Sequence, residues 1–179
     1  MFTLPIPPRH TTVLALTLHA TACAHRHATP ANPPIAIAVA NIGFGPDSGL
    51  TPEEQGECEL GTELFDELHD EVDESFALHS VAGYRGVPGL VLVMRFARVE
   101  GQDFASGIKS IVLEGKLLRD GQVTADFMAM RYTSNGAFGN YNRGFKSSCG
   151  ILEDVVEELA EDVGEWLREP TMNALLGDL

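Results

Sequence analysis

The sequence is poor in basic residues, in cysteine and in long apolar runs. It holds 12 Lys and Arg against 26 Asp and Glu, so its formal net charge is −14. This charge argues against nucleic acid or an anionic lipid surface as a partner, because like charges repel. No apolar run approaches the ~20 residues that a membrane-spanning helix needs. The hydrophobic content of 44% and charged content of 21% are instead typical of a folded chain.

The first 22 residues have the order of a secretion signal. Arg9 gives a weakly basic start, residues 11–18 form a short apolar run, and small residues precede Cys23. We therefore expect four segments: a signal peptide (1–22), a Pro-rich tether (23–34), a single α+β domain (35–170) and a C-terminal tail (171–179). The part that follows the signal has the size of one ordinary domain.

Small residues that end in Cys23 resemble the lipobox of bacterial lipoproteins. The resemblance implies that Cys23 is acylated and becomes the mature N-terminus, and Ala24 after it resembles lipoproteins sorted to the periplasmic side of the outer membrane. Ala20 replaces the usual Leu of a lipobox, and the same residues satisfy the rule for ordinary signal peptidase. The alternative is therefore a soluble periplasmic or secreted protein that has no lipid.

Cys58 and Cys149 each stand two residues ahead of an apolar series with period four. Such a series predicts an amphipathic helix, here over about 57–77 and about 149–168. If the two helices lie parallel on one sheet, their first turns are adjacent, and a disulfide between the two cysteines would close a loop of about 90 residues. The alternatives are two buried free thiols or a nucleophilic cysteine, although no His is near in sequence to activate one.

Four segments have the apolar pattern of strands: 35–42, 90–99, 108–118 and 123–132. Asp120-Gly121 predicts a tight hairpin between the last two. The element order is then β-α-β-β-β-α. We expect an α+β fold built as a two-layer sandwich, with two parallel helices on one face of a four-stranded mixed sheet. The other face of the sheet is left to solvent or to a partner.

The segment 134–147 is rich in glycine and aromatic residues, and we predict it as a candidate ligand or partner loop. Its glycines expose backbone amides, its rings offer flat surfaces and its bases offer charge. The residues concerned are Gly136, Phe138, Gly139, Tyr141, Arg143, Gly144, Phe145 and Lys146. The segment resembles a phosphate loop with one extra residue, but Phe145 breaks that register. An ordinary surface loop is the alternative.

No catalytic residue, metal site or cofactor is predicted. Ser106 and Lys109 match the S-x-x-K motif, but at a strand entrance residues three apart point to opposite faces. His69 and His79 have no recognisable metal spacing. One group of carboxylates suggests calcium but lacks the turn glycine of a calcium loop: Asp66, Asp70, Asp73 and Glu74.

Cys23, Cys58 and the segment from Ser148 to Leu152 together resemble small Gram-negative envelope lipoproteins of uncharacterised function. The expected domain is broadly similar to the N-terminal domain of TolB and to curli-secretion lipoproteins. This resemblance implies a lipid-anchored, non-catalytic interaction module of the cell envelope, held to the membrane by its N-terminal lipid and in contact with an envelope protein. The alternative is a small periplasmic hydrolase or ligand-binding protein.

Overall fold

The computed structural model describes residues 33–72, 74–100, 109–133 and 148–179. The segment expected as a signal peptide, Cys23 and the candidate loop 134–147 lie outside the described residues. The described chain forms ten elements, in this order: β1 (Ile35–Ala40), β2 (Gly43–Phe44), α1 (Pro52–Glu57), α2 (Leu60–Glu71), β3 (Phe76–Val81), β4 (Leu90–Glu100), β5 (Ser110–Arg119), β6 (Gln122–Tyr132), α3 (Ser148–Arg168) and β7 (Ala174–Gly177).

The strands form one mixed sheet in the order β3-β1-β4-β5-β6-β7, and the short β2 pairs with β4. β1 runs parallel to β3 and β4, whereas β4, β5 and β6 pair antiparallel in sequence. The expected hairpin joins β5 to β6, with Asp120 and Gly121 both at positive φ, as a tight turn of this kind requires. The fold is therefore the expected α+β type with a mixed sheet.

Helices α2 and α3 cover one face of the sheet and lie parallel. Their starts are joined through Cys58 and Cys149, and near their ends Gly164 of α3 approaches the Glu71 side chain. Leu60, Leu64 and Leu68 of α2 are at most 1% exposed, so the predicted apolar stripe faces the core. The same core takes alternate residues from β1, β4, β5 and β6.

The expected first helix, 57–77, is wrong at both ends. A separate short helix, α1, precedes it, and α2 ends at Glu71. Phe76 continues the period-four series of α2, but it begins β3, where Phe76 and Leu78 face the core at period two. Residues four apart share a face in a strand as well as in a helix, so a period-four match at Phe76 does not distinguish the two structures.

The sheet has seven strands rather than the four expected, so the expected order β-α-β-β-β-α is also corrected. The additional strands are β2, β3 and β7. β7 lies inside the segment expected as a tail and pairs parallel to β6. Two polar contacts fix its approach, since the Asn173 amide donates to the Asp126 carboxylate and the Asp178 amide donates to the Met130 carbonyl. β2 and β7, with two and four residues, carry too little pattern to be recognised in sequence, and the start of β3 also fits the helical period.

Candidate functional site

Two features of the molecule could take part in binding: a cleft at one edge of the sheet and the sheet face that the helices leave uncovered. The first lies at the carboxyl edge, the edge where the parallel strands β1, β3, β4 and β6 end. Helices α2 and α3 begin at this edge, and the Cys58–Cys149 disulfide joins their starts, with a Cα–Cα distance of 5.1 Å. The disulfide expected from the sequence is therefore present, and it marks this edge.

A cleft of about 400 Å³ opens at the carboxyl edge, between the ends of β1 and β3 and the start of α2. We call it the carboxyl-edge cleft. Its lining combines two aromatic rings, four uncharged polar side chains and one carboxylate, on a floor of small and apolar residues. The lining residues are Ala40, Asn41, Ile42, Phe44, Gln55, Glu59, Gly61, Thr62, Phe65 and Ser80. Glu59 is the one charged residue among them.

Glu59 has an unusual backbone. It occupies the left-handed region, with φ 44° and ψ 30°, although it is neither Gly nor Asn. A non-glycine residue in this region costs on the order of 1 kcal/mol, and such residues cluster where the surrounding structure over-determines them. Glu59 stands at the position before α2, but its side chain does not cap the helix. The conformation therefore turns this carboxylate away from the usual capping role.

The neighbours of Glu59 fix it in place. Cys58 before it is held by the disulfide, and Leu60 after it is 1% exposed in the core. Gly61 comes so close to the Ile42 carbonyl that a Cβ atom there would lie 2.6 Å from the oxygen. The start of α2 can therefore lie this close to the turn after β1 only with glycine at position 61.

The second feature is the open sheet face, the side of the sheet opposite α2 and α3. On β6 and β7 it exposes apolar side chains, with Met128 39%, Tyr132 43% and Leu175 69% exposed. Toward β1 and β4 the same face is covered, because Ala38, Val91 and Leu118 form a second buried cluster. Leu175 and Met128 are partners in the register of the two strands. Arg95 and Glu114 continue this row across β4 and β5 and form an ion pair in which Arg95 Nη2 lies 2.6 Å from Glu114 Oε2.

A depression of about 370 Å³ lies on the same open face, beside the Arg95–Glu114 pair. Tyr84 and Val123, which are 41% and 45% exposed, contribute to its lining, together with Leu118. The depression and the β6–β7 patch therefore belong to one surface of mixed apolar and charged character.

A charged network ties β6, α3 and β7 together next to this surface. Arg131 donates from Nε and Nη2 to the two carboxylate oxygens of Asp162, both at 2.7 Å, and its Nη1 lies 3.5 Å from Asp178 Oδ1. The hydrogen bonds to Asp162 raise the pKa of Arg131 above its usual value. The side chain of Arg131 is 26% exposed and that of Asp162 is 13% exposed. This geometry is structural, because it docks α3 and β7 onto β6.

The outer surface of the helices is acidic. Residues 53–74 hold eleven Asp and Glu and no Lys or Arg. Burial raises the pKa of Glu67, and repulsion from carboxylates on both α2 and α3 raises it further. Carboxylates of α2 and α3 therefore repel each other across the groove between the two helices. Within the described ranges, no group of three or more Asp, Glu, His or Cys has the arrangement of a metal site.

Of the other residues singled out in the sequence, some lie within the described residues and some lie outside them. Lys109 is 5% exposed at the entrance of β5, and Ser106, its partner in the S-x-x-K match, lies outside the described residues. The candidate loop residues Gly136, Phe138, Gly139, Tyr141, Arg143, Gly144, Phe145 and Lys146 also lie outside them, as does Cys23. In the part that the structure describes, no helix is long and apolar enough to cross a membrane.

Sequence reasoning did not identify the cleft or the contact residues of the open face. Glu59 carries no sequence signal for a left-handed conformation, and the cleft collects residues between positions 40 and 80 from five separate elements and turns. The open face did have a signal. In β6 the series Met128, Met130 and Tyr132 has period two and stands opposite the buried Phe127 and Ala129.

No protein-family model matches the chain, and no curated protein matches it either. Several solved structures share its general arrangement. A neuraminyllactose-binding hemagglutinin homologue from Helicobacter pylori is 12% identical, with a TM-score of 0.48 over 79% of this chain and 86% of that one.

A DUF330 protein from Xanthomonas campestris is 14% identical, with a TM-score of 0.43 over 78% of this chain and 88% of that one. A minor lipoprotein from Acinetobacter baumannii is 9% identical, with a TM-score of 0.41 over 81% and 97%. At these scores the likenesses carry no argument about function. The similarity to TolB and curli-secretion lipoproteins stays a prediction.

Proposed function

We propose that the chain is an exported, lipid-anchored, non-catalytic interaction module of the bacterial cell envelope, and that its contact surface is the open sheet face. The observation that carries the binding role is that face itself: helices cover one side of the sheet, while Met128, Tyr132 and Leu175 on the other side are 39–69% exposed. Exposed apolar groups gathered on one face are typical of an interaction surface.

The export half of the proposal draws on the N-terminal segment and the disulfide. Disulfides persist in oxidising compartments such as the periplasm, and the Cys58–Cys149 bond leaves Cys23 as the one cysteine available for acylation. Ile35, where the tether meets β1, lies at the edge of the sheet opposite the disulfide. A lipid on Cys23 would therefore hold that edge toward the periplasmic side of the outer membrane.

The proposed occupant of the open face is a folded envelope protein. Met, Tyr and Arg are enriched in protein interfaces, and the face presents Met128, Tyr132 and Arg95 within a few strands of one another. An anionic lipid surface fits less well, because the chain carries a net charge of −14.

The anchor is tested by growth with radiolabelled palmitate. Cys23→Ser should abolish both the label and the membrane fractionation of the protein, whereas Cys58→Ser, which removes a cysteine from the domain instead, should retain the label. Label that persists in Cys23→Ser, or none in the parent chain, would contradict the lipid anchor.

The contact surface is tested with a photo-crosslinking amino acid at Met128 in intact cells, and with a matched position, the exposed Glu161 on the helix layer. We expect Met128 to capture one envelope protein, identified by mass spectrometry, and Leu175→Asp to weaken that capture; Glu161 should not capture it. Equal capture from both positions, or an adduct with the mass of two copies of this chain, would overturn the proposed partner.

A further inference from the structure

The geometry points to a second binding site: we propose that the carboxyl-edge cleft binds a small organic cation with an ammonium group, and that Glu59 provides the counter-charge. This site is separate from the open sheet face, since its lining residues come from β1, β2, β3, α1, α2 and the turns between them and include none of the contact residues named there. The inference stands or fails independently of the protein partner.

The position of the cleft is one that α/β sheets use for ligands. From β1 the chain passes through α2 to β3 on one side, whereas β4 lies on the other side of β1. The loops therefore separate outside the carboxyl ends of these parallel strands, and ligands of open sheets bind in such a crevice. Ala40 and Asn41 at the end of β1 and Ser80 in β3 line the cleft here.

The size and lining of the cleft define the class of ligand. A volume of about 400 Å³ is within the range of small-molecule sites. Glu59 supplies the single charge, so the ligand should carry the opposite one. Phe44 and Phe65 supply aromatic rings, which attract ammonium groups through their negative faces. Asn41 and Thr62 can bond hydroxyl or amine substituents.

The charge of the surroundings favours a cation over a neutral ligand. The cleft opens beside the stretch 53–74, which holds eleven acids and no bases. The start of α2 adds roughly half a positive charge, and Glu63 in its first turn offsets it. Among the described residues that line the cleft, none is Lys, Arg or His.

The site is also pre-organised. Glu59 is fixed between the disulfide at Cys58 and the buried Leu60, and the Phe44 ring packs on Phe96 with centroids 5.0 Å apart. The backbone that carries the carboxylate, and one of the two rings, are therefore held in place before a ligand arrives, which lowers the entropy lost on binding. The unfavourable backbone of Glu59 is then a cost that the fold carries for the site.

The proposal is tested by calorimetric titration of the purified protein with choline and with putrescine, and with 3,3-dimethyl-1-butanol, which has the shape of choline but no charge. We expect saturable binding of at least one ammonium compound and at least tenfold weaker binding of the neutral alcohol. No saturable binding of either cation, or equal binding of the neutral analogue, would overturn the proposal.

Variants separate a binding role of Glu59 from a structural one. Glu59→Gln keeps the shape and should weaken binding about tenfold or more. Asp70→Asn, a matched loss of charge on α2 at a side chain that is 88% exposed, should leave binding unchanged. Equal weakening in both variants would mean that net charge alone acts, and would overturn the site.

Glu59→Gly gives the sharpest outcome. Glycine adopts the left-handed backbone without strain, so this variant should melt about 3 °C higher than the parent chain while losing binding. A residue with a purely structural role would not combine a higher melting temperature with a loss of binding on this substitution. Retained binding in Glu59→Gly would refute the assignment of Glu59, and the higher melting temperature shows that the variant is folded.

Discussion

Removal of the Cys58–Cys149 disulfide should cost about as much stability as a large-to-small substitution in the core. The bond joins residues 91 apart in sequence. In the chain-entropy model, a loop of that length restricts the unfolded chain by about 15 cal/mol/K, which corresponds to about 4.5 kcal/mol at 25 °C. For a domain of this size the melting temperature should fall by roughly 15 °C in the double variant Cys58→Ala with Cys149→Ala.

The assay is urea and thermal unfolding of the double variant beside the parent chain, each with and without a reducing agent. Reduction should lower the stability of the parent to that of the variant and leave the variant unaffected. The urea dependence should also become steeper, because the unfolded chain without the bond exposes more surface. A loss below about 1 kcal/mol, or an unchanged urea dependence, would refute the reasoning from the unfolded state.

Three further predictions concern the packing and the charges. Gly115→Ala should destabilise the fold by about 2 kcal/mol in urea unfolding, because the new Cβ overlaps the Phe127 ring, and Phe127→Leu should restore part of the loss; an unchanged midpoint would contradict the overlap. Glu67→Gln should raise the melting temperature at pH 7. The pKa of Glu67 is raised in the folded state, so its charged form lowers the folding stability fully above the folded pKa and not at all below the unfolded pKa of about 4.5. The gain should therefore disappear by pH 4, and equal gains at both pH values would disprove the reasoning. Arg131→Lys should cost about 2 kcal/mol, because lysine cannot make the paired hydrogen bonds to Asp162, and hydrogen exchange in β7 should increase; protection equal to the parent would argue against its role in docking that strand.

The parts of the fold with long periodic patterns could be predicted from the sequence. The four strands expected around Val39, Met94, Leu113 and Phe127 are present, as is α3, because each alternates or repeats over many residues. The helix predicted over about 57–77 includes the first two residues of β3, since Phe76 fits both periods. A clue was available in its sequence FALHSV, where apolar residues recur at every second position over the first half.

Of the features at the carboxyl edge, only the disulfide could be predicted from the sequence. Cys58 and Cys149 stand at equivalent positions before two apolar series, so they are adjacent once the two helices lie parallel. The cleft depends instead on how β1, β3 and the start of α2 meet, which single-sequence patterns do not report. The backbone of Glu59 is set by its fixed neighbours, so no local propensity could have revealed it.

The span of the disulfide has a practical consequence for mapping accessible segments by limited proteolysis. Strands β3, β4, β5 and β6 all lie between Cys58 and Cys149, so the bond closes a covalent ring around most of the sheet. A protease that cuts once anywhere within that ring leaves two fragments that migrate together on a non-reducing gel. Cuts inside and outside the ring can therefore be told apart simply by adding a reductant before electrophoresis.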